Sequence, residues 1–259
     1  MDYRHIIYAK AEHVAYMTIN RPEVRNALNV RANAELRDAF QDFKADDEAR
    51  VAILTGAGSQ AFCAGADLRD AADMFAAGDR PSDLPPFGGI TEDFTCWKPI
   101  IAAVNGTALG GGTELALACD IVVASTHAQF GLPEPRRGVV AGSGGLVRLP
   151  RQLPLKLALG LILTGRPMTA AQAERHGLVN EVVPADEVMA CAQGWAQDIL
   201  WCSPASVRLS KRQAMSYLHL PVDDALATQA DLIAALLASP DASEGTRAFV
   251  ERREPRWAT

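Results

Sequence analysis

Gly106-Thr107-Ala108-Leu109-Gly110-Gly111-Gly112-Thr113-Glu114-Leu115-Ala116 sets three consecutive glycines directly before a helix-forming run. Glycines let the backbone take unusual angles and let a ligand approach the amides closely. Thr113 to Cys119, with Glu-Leu-Ala-Leu-Ala in its middle, reads as a buried helix. The start of a helix offers unpaired N–H groups and a positive dipole end. Together these can hold a developing negative charge, as an oxyanion hole does. Glu114 sits one turn in, followed by Leu115, Ala116, Leu117 and Ala118. A carboxylate in such apolar company is costly to ionise unless compensated. The segment alone leaves two readings open: a dipole-favoured helix start, or a catalytic acid or base.

Strands flank this unit on both sides, Lys98 to Val104 before it and Asp120 to Ala124 after it. Further on, Phe130-Gly131-Leu132-Pro133-Glu134-Pro135 locks Glu134 between two prolines. Its backbone is stiff and excluded from mid-helix. That suits a turn residue, and it equally suits a carboxylate presented for general acid–base work. Two carboxylates on separate ordered elements let one deliver a proton while the other activates water, a contribution of about 10²–10⁴ in rate. Upstream, Ala64-Gly65-Ala66-Asp67 follows a strand with small residues. It is either tight strand–helix packing or a second set of exposed amides.

His5 to Lys10 and His13 to Asn20 read as short strands, ended by Arg21-Pro22. Asn29 to Asp46 carries Ala32, Leu36, Ala39, Phe40 and Phe43 at helical spacing, with Asn29 as N-cap. Val51 to Thr55 is a buried strand stopped by Gly56-Ala57-Gly58. The polar, Pro-rich stretch from Gly78 to Gly89 is the expected mobile loop. Leu163-Thr164-Gly165-Arg166 closes the mixed region. From Thr169 onward helix dominates, apart from a strand at Val179 to Val183. Helical spacing marks Gln193 to Trp201, Ser206 to Tyr217, Val222 to Leu237 and Ser243 to Arg253. The chain therefore divides into an α/β region, 1–195, and a helical tail, 196–259.

With 259 residues, 49% hydrophobic, the chain can bury a sizeable core. A formal charge of −6 disfavours nucleic-acid binding, which needs clustered cations. Five cysteines, an odd number with no C-x-x-C pair, argue against a disulfide framework and a zinc site. No secretory or transit pattern opens the chain and no apolar run reaches about 18 residues, so a cytoplasmic protein with no membrane span is expected. The sequence holds no G-x-G-x-x-G, Walker loop, H-E-x-x-H or G-x-S-x-G.

In ordered combination these segments resemble the crotonase superfamily. The matching stretches are Ile19 to Pro22, Asn26 to Leu28, Ala61 to Leu68, Lys98 to Asp120, Gln129 to Glu134, Gly142 to Leu149 and Leu163 to Gly165. Glu244-Gly245 and Ala248 to Glu251 fit as well. The resemblance implies an α/β fold, a spiral of ββα units, with the CoA and acyl site in 1–195. It implies that 196–259 is a trimerisation region and that the assembly is a homotrimer or homohexamer. The amides of Ala66 and Gly111 would form the oxyanion hole around a thioester carbonyl. Ala64, Asp67 and Leu68 would lie beside the CoA adenine, and Phe249 and Arg252 would help a neighbouring subunit hold the nucleotide. Gly142 would border the acyl pocket.

Both glutamates match, and this favours syn hydration of a trans-2-enoyl-CoA, with CoA as part of the substrate and no separate cofactor or metal. Glu114 would activate water and Glu134 would protonate the α-carbon. A carnitinyl-type dehydratase or an isomerase is the alternative, and a non-catalytic RNA-associated relative a remote one. Some residues depart from the family pattern. Ala141 stands where Pro is usual, Arg136-Arg137 where apolar residues are usual, and Gln60 where Lys is common. The loop between Asp70 and Trp97 is long.

Overall fold

The computed structural model describes residues 3–70 and 86–258. The expected mobile loop falls, over 78–85, outside the described residues. Its last part, Phe87–Gly89, is a short 3-10 turn against the first helix.

Two sheets are wound together. The first has the order β1 (Ile6–Ala11), β2 (Val14–Ile19), β3 (Val51–Gly56), β5 (Ile100–Val104), β7 (Ile121–Ser125), β10 (Glu181–Val183). Only β1–β2 pairs antiparallel there. The second has the order β4 (Ala61–Cys63), β6 (Thr107–Leu109), β8 (Gln129–Gly131), β9 (Met168–Thr169). Each of β3, β5 and β7 is thus followed by a strand of the other sheet. After β6, and again after β8, a turn and helix return the chain, which makes ββα steps of a spiral among the described residues.

Strand composition explains the layering. Every residue of β3 and β5 is buried, the signature of parallel strands covered on both faces. Ala52, Leu54, Ala102 and Val104 face the larger core with helix α1 (Val30–Ala45). Val51, Ile53, Ile101 and Ala103 face helix α6 (Val188–Trp201) on the other side. The two sets alternate because side chains alternate across a strand.

The expected elements appear with small shifts. Asn29 caps α1 through its side chain, which accepts from the Ala32 amide at 2.8 Å. At the other end of α1 the buried Lys98 donates to the carbonyls of Phe43 (2.8 Å) and Asp46 (2.6 Å), a cation on the negative end of a helix. The expected helix Val222 to Leu237 is interrupted at Gln229, between Val222–Thr228 and Ala230–Leu237, although Gln229 keeps helical angles. The sequence pattern did not disclose β4, β6, β8 and β9, which are two or three residues long. Such pieces are too short for any period to register.

Asn26 organises the turn that carries the chain from β2 to α1. Its φ of 56° is one that asparagine tolerates. Its side chain accepts from the Arg21 amide (3.0 Å) and donates to the carbonyls of Ala57 (3.0 Å) and Ala61 (2.7 Å). Asn26→Ala leaves these buried groups unpaired and should cost roughly 2–4 kcal/mol. A urea midpoint lowered at unchanged slope would show it, and an unchanged midpoint would refute it.

Candidate active site

The glycine triplet begins helix α2 (Gly111–Ala118), two residues earlier than the sequence pattern suggested. Gly110 takes φ 56° and ψ −126°, a region open to glycine. Gly112 sits so close to the Cys63 carbonyl that no Cβ fits. The start of α2 is stitched to β8 next door. The Gly110 amide donates to Gly131 O at 2.9 Å, and the Gly131 amide donates to the Thr113 hydroxyl oxygen at 2.9 Å. The Thr113 hydroxyl lies 2.8 Å from Ala108 O as its acceptor. Strand β8 leads within three residues to Glu134, the first residue of a 3-10 turn, Glu134–Arg137. The stitching therefore aims Glu134 at the start of α2. A Cβ built on Gly110 would stand 2.9 Å from Glu134 Oε1.

Glu114 is 3% exposed. Its Oε1 accepts from the Gly145 amide at 2.8 Å. Gly145 is the first residue of helix α3 (Gly145–Gln152), so a second helix start faces the carboxylate. Burial pushes its pKa up to about 7, and the charge of Glu134 adds to the rise. The amides of Gly145 and Ser143 and the Arg148 guanidinium oppose it. Burial also raises the Glu134 carboxyl, against its own backbone and Arg137. Glu134 Oε2 is buried and accepts from no described residue. Two carboxyls of raised pKa beside one helix start are an arrangement suited to proton transfer.

The segment that holds Ala66 packs against the start of α2, where Gly65 lies close to Gly110 and Gly111. Ala66 makes a single parallel bridge with Leu28. Its bonds are carried by the flanking residues, Leu28 N to Gly65 O (2.9 Å) and Asp67 N to Leu28 O (2.9 Å). The Ala66 amide is left turned to the other side, without an acceptor among the described residues. Gly111 is the first residue of α2, so its amide lacks an intrahelical partner. A Cβ on Gly65 would lie 3.2 Å from Gly111 N, which shows how closely the two segments approach.

The other expected site residues are placed as follows. Ala64 is half-buried, and Leu68 is 58% exposed on the same segment. The Asp67 carboxylate is taken up by Arg21, at 3.0 Å, and by the Arg69 amide, at 3.2 Å. Gly142 is exposed, its amide turned back to Val140 O at 2.9 Å, at the start of the turn 142–144. Phe249 is 85% exposed, and Arg252 is exposed beside it at the end of helix α10 (Pro240–Glu251). That helix is anchored to Ser203 and, through Trp257, to Trp201. Within one chain these two residues are not brought to the glutamates. Sequence reasoning missed Thr113, Phe87, Arg148 and the Ser143 and Gly145 amides. The run Gly142-Ser143-Gly144-Gly145 before a helix repeats the signal of Gly110 to Gly112 and could have pointed to those amides. Among the described residues no cluster of His, Cys, Asp or Glu could hold a metal ion.

The two interleaved sheets with a helix start over a carboxylate pair define a protein of the crotonase fold. The structure superposes on an enoyl-CoA hydratase from Mycobacterium tuberculosis H37Rv with a TM-score of 0.91, at 40% identity over 98% of each chain. An enoyl-CoA hydratase from Bacillus anthracis gives 0.90 at 34% identity, covering 98% of this chain and 99% of that one. Among curated relatives, an (E)-benzylidenesuccinyl-CoA hydratase from Thauera aromatica is 39% identical over 95% of this chain and 96% of its own. A carnitinyl-CoA dehydratase from Salmonella arizonae is 41% identical over 93% of each. The enoyl-CoA hydratase/isomerase family model matches residues 9–259. The chain belongs to the enoyl-CoA hydratase/isomerase family.

Proposed function

We propose that this protein is a hydro-lyase that adds water syn across the double bond of a trans-2-enoyl-CoA. The observation that carries this is the meeting of Glu114 and Glu134 at the start of α2, beside the unpaired amides of Ala66 and Gly111. The thioester oxygen accepts from those two amides, which strengthens as enolate charge develops there. Glu114 takes a proton from water as the water oxygen bonds to the β-carbon. The π electrons move toward the thioester, and Glu134 gives its proton to the α-carbon. The buried, unpartnered Oε2 of Glu134 suits a carboxyl that holds a proton until then. Run backwards, the same steps dehydrate a 3-hydroxyacyl-CoA, and the resemblance to a carnitinyl-CoA dehydratase keeps that direction as a second reading.

Ala64, Asp67 and Leu68 lie on the segment that would border the CoA adenine, with Phe249 and Arg252 supplied by a neighbouring subunit. Exposed Leu218, Leu226, Leu237 and Val250 on the tail support a homotrimer or homohexamer. No helix among the described residues is long and apolar enough to cross a membrane. Fatty-acid β-oxidation in the cytoplasm is the general setting of this reading.

The experiment is the ultraviolet absorbance of crotonyl-CoA, wild type beside Glu134→Gln. Rapid loss of the conjugated-enoyl band with wild type alone supports hydration. An unchanged band with both removes crotonyl-CoA hydration from the reading. The pH profile gives a second check. Glu114 must be ionised to take a proton, and its pKa stands near about 7. Hydration kcat/KM should therefore fall about tenfold per pH unit below that point. A profile flat from about pH 5 to 8 would exclude Glu114 as the base of the free enzyme.

A further inference from the structure

We propose that the acyl group taken by this enzyme carries a carboxylate, recognised by Arg137. The proposal rests on the hydratase reading for its site and deepens it to a substrate class. Glu134 and Arg137 are the first and last residues of one 3-10 turn. Side chains three apart eclipse on such a turn. Arg137 therefore rises from the same side of the turn as Glu134, which faces Gly110 and the start of α2. Its charge is felt there, drawing the Glu134 carboxyl down against burial.

The two arginines of this turn are not equivalent. Arg136 points elsewhere, its Nε donating to Thr164 O at 2.8 Å and packing 3.1 Å from where a Cβ of Gly165 would be. Arg137 is exposed and makes no hydrogen bond or ion pair with a described residue. Beyond it Gly138 turns the chain at φ 73° into open space, and Val139 and Val140 are 44% and 68% exposed. The rim beside Glu134 thus holds an unpaired guanidinium next to apolar residues. The planar fork of arginine matches a carboxylate in two parallel hydrogen bonds. The same charge disfavours an acyl group that ends in a quaternary ammonium.

The test compares ligands that differ by one terminal carboxylate. Binding is read by calorimetry with glutaryl-CoA against butyryl-CoA, and turnover with glutaconyl-CoA against crotonyl-CoA. Wild type should prefer the carboxylated member by about tenfold or more, the span of a charge-assisted hydrogen bond. Arg137→Gln should bring that ratio to near one, and Arg137→Lys should keep part of it. A wild-type ratio near one overturns the proposal, and so does a preference that survives in Arg137→Gln. Equal weakening of both ligands in Arg137→Gln also overturns it, because it would mark a contact to the CoA phosphates. Preferential binding of glutaryl-CoA through Arg137 without turnover of either enoyl-CoA would uphold the charge recognition and remove the hydration reading instead.

Discussion

Glu114→Gln and Glu134→Gln should each lower kcat by about 10²–10⁴ while KM moves only a few-fold. Glutamine keeps the shape of the side chain, and at position 114 an oxygen can still accept from the Gly145 amide. What is lost is the ability to take or give a proton in the transition state, so the effect falls on kcat. The two losses should not add in the double variant, because the groups act in one proton transfer sequence. Unchanged kcat in both single variants would remove the acid–base assignment.

Glu114→Gln should also change stability, in the opposite direction. The folded state holds the Glu114 proton to about pH 7, against 4.5 for the ordinary value. Between those two points the folded state binds more protons than the unfolded chain. Stability therefore falls as pH rises through that window, by an amount on the order of 3 kcal/mol if Glu114 acted alone. Glutamine has no such proton to lose. The variant should thus be more stable than wild type near pH 8 and gain little near pH 4.5, measured by urea unfolding. Equal stability at pH 8 would mean that Glu114 ionises in the folded protein without penalty.

Gly111→Pro should lower kcat by about 10²–10³, the usual loss for one oxyanion donor. Position 111 is the first residue of α2, where the helix backbone itself tolerates proline because this N–H has no intrahelical partner. Crowding is the confounding effect, since a Cβ at this position would meet the Phe87 ring at 2.5 Å. Gly111→Ala supplies the control, because it brings the same Cβ and keeps the amide. The expected order is wild type, then Gly111→Ala, then Gly111→Pro far below, with acyl-CoA binding retained in all three. Equal activity of the Ala and Pro variants would place the thioester oxygen elsewhere.

Several features could be read from residue order because their causes are local. Asn29 caps α1 since a short polar side chain can reach the third amide ahead. The apolar runs of β3 and β5 announced strands, and the structure buries both completely. Glu114 stood out because a carboxylate inside an apolar helix needs a reason, and Glu134 because two prolines fix its backbone. The order of glycine turns and carboxylates sufficed to recognise the family, to which the chain belongs.

Other features depended on contacts between residues far apart in the chain. The second sheet is made of strands of two or three residues that exist only because neighbours supply their hydrogen bonds. Nothing in the residue order says that the Gly145 amide, 31 positions on, holds Glu114. Nor does it say that Thr113 ties β8 to α2 and so aims Glu134 at Gly110. The division of Arg136 and Arg137 between a bond to Thr164 and an exposed, unpartnered guanidinium likewise needed the turn on which they sit. The sequence by itself marked the candidate residues for the chemistry and most of the elements that bear them, because capping, periodicity and backbone freedom act over a few residues. Only the tertiary structure decided the distances, the burial and the raised pKa of Glu114, because desolvation and charge act through space, whatever the separation along the chain.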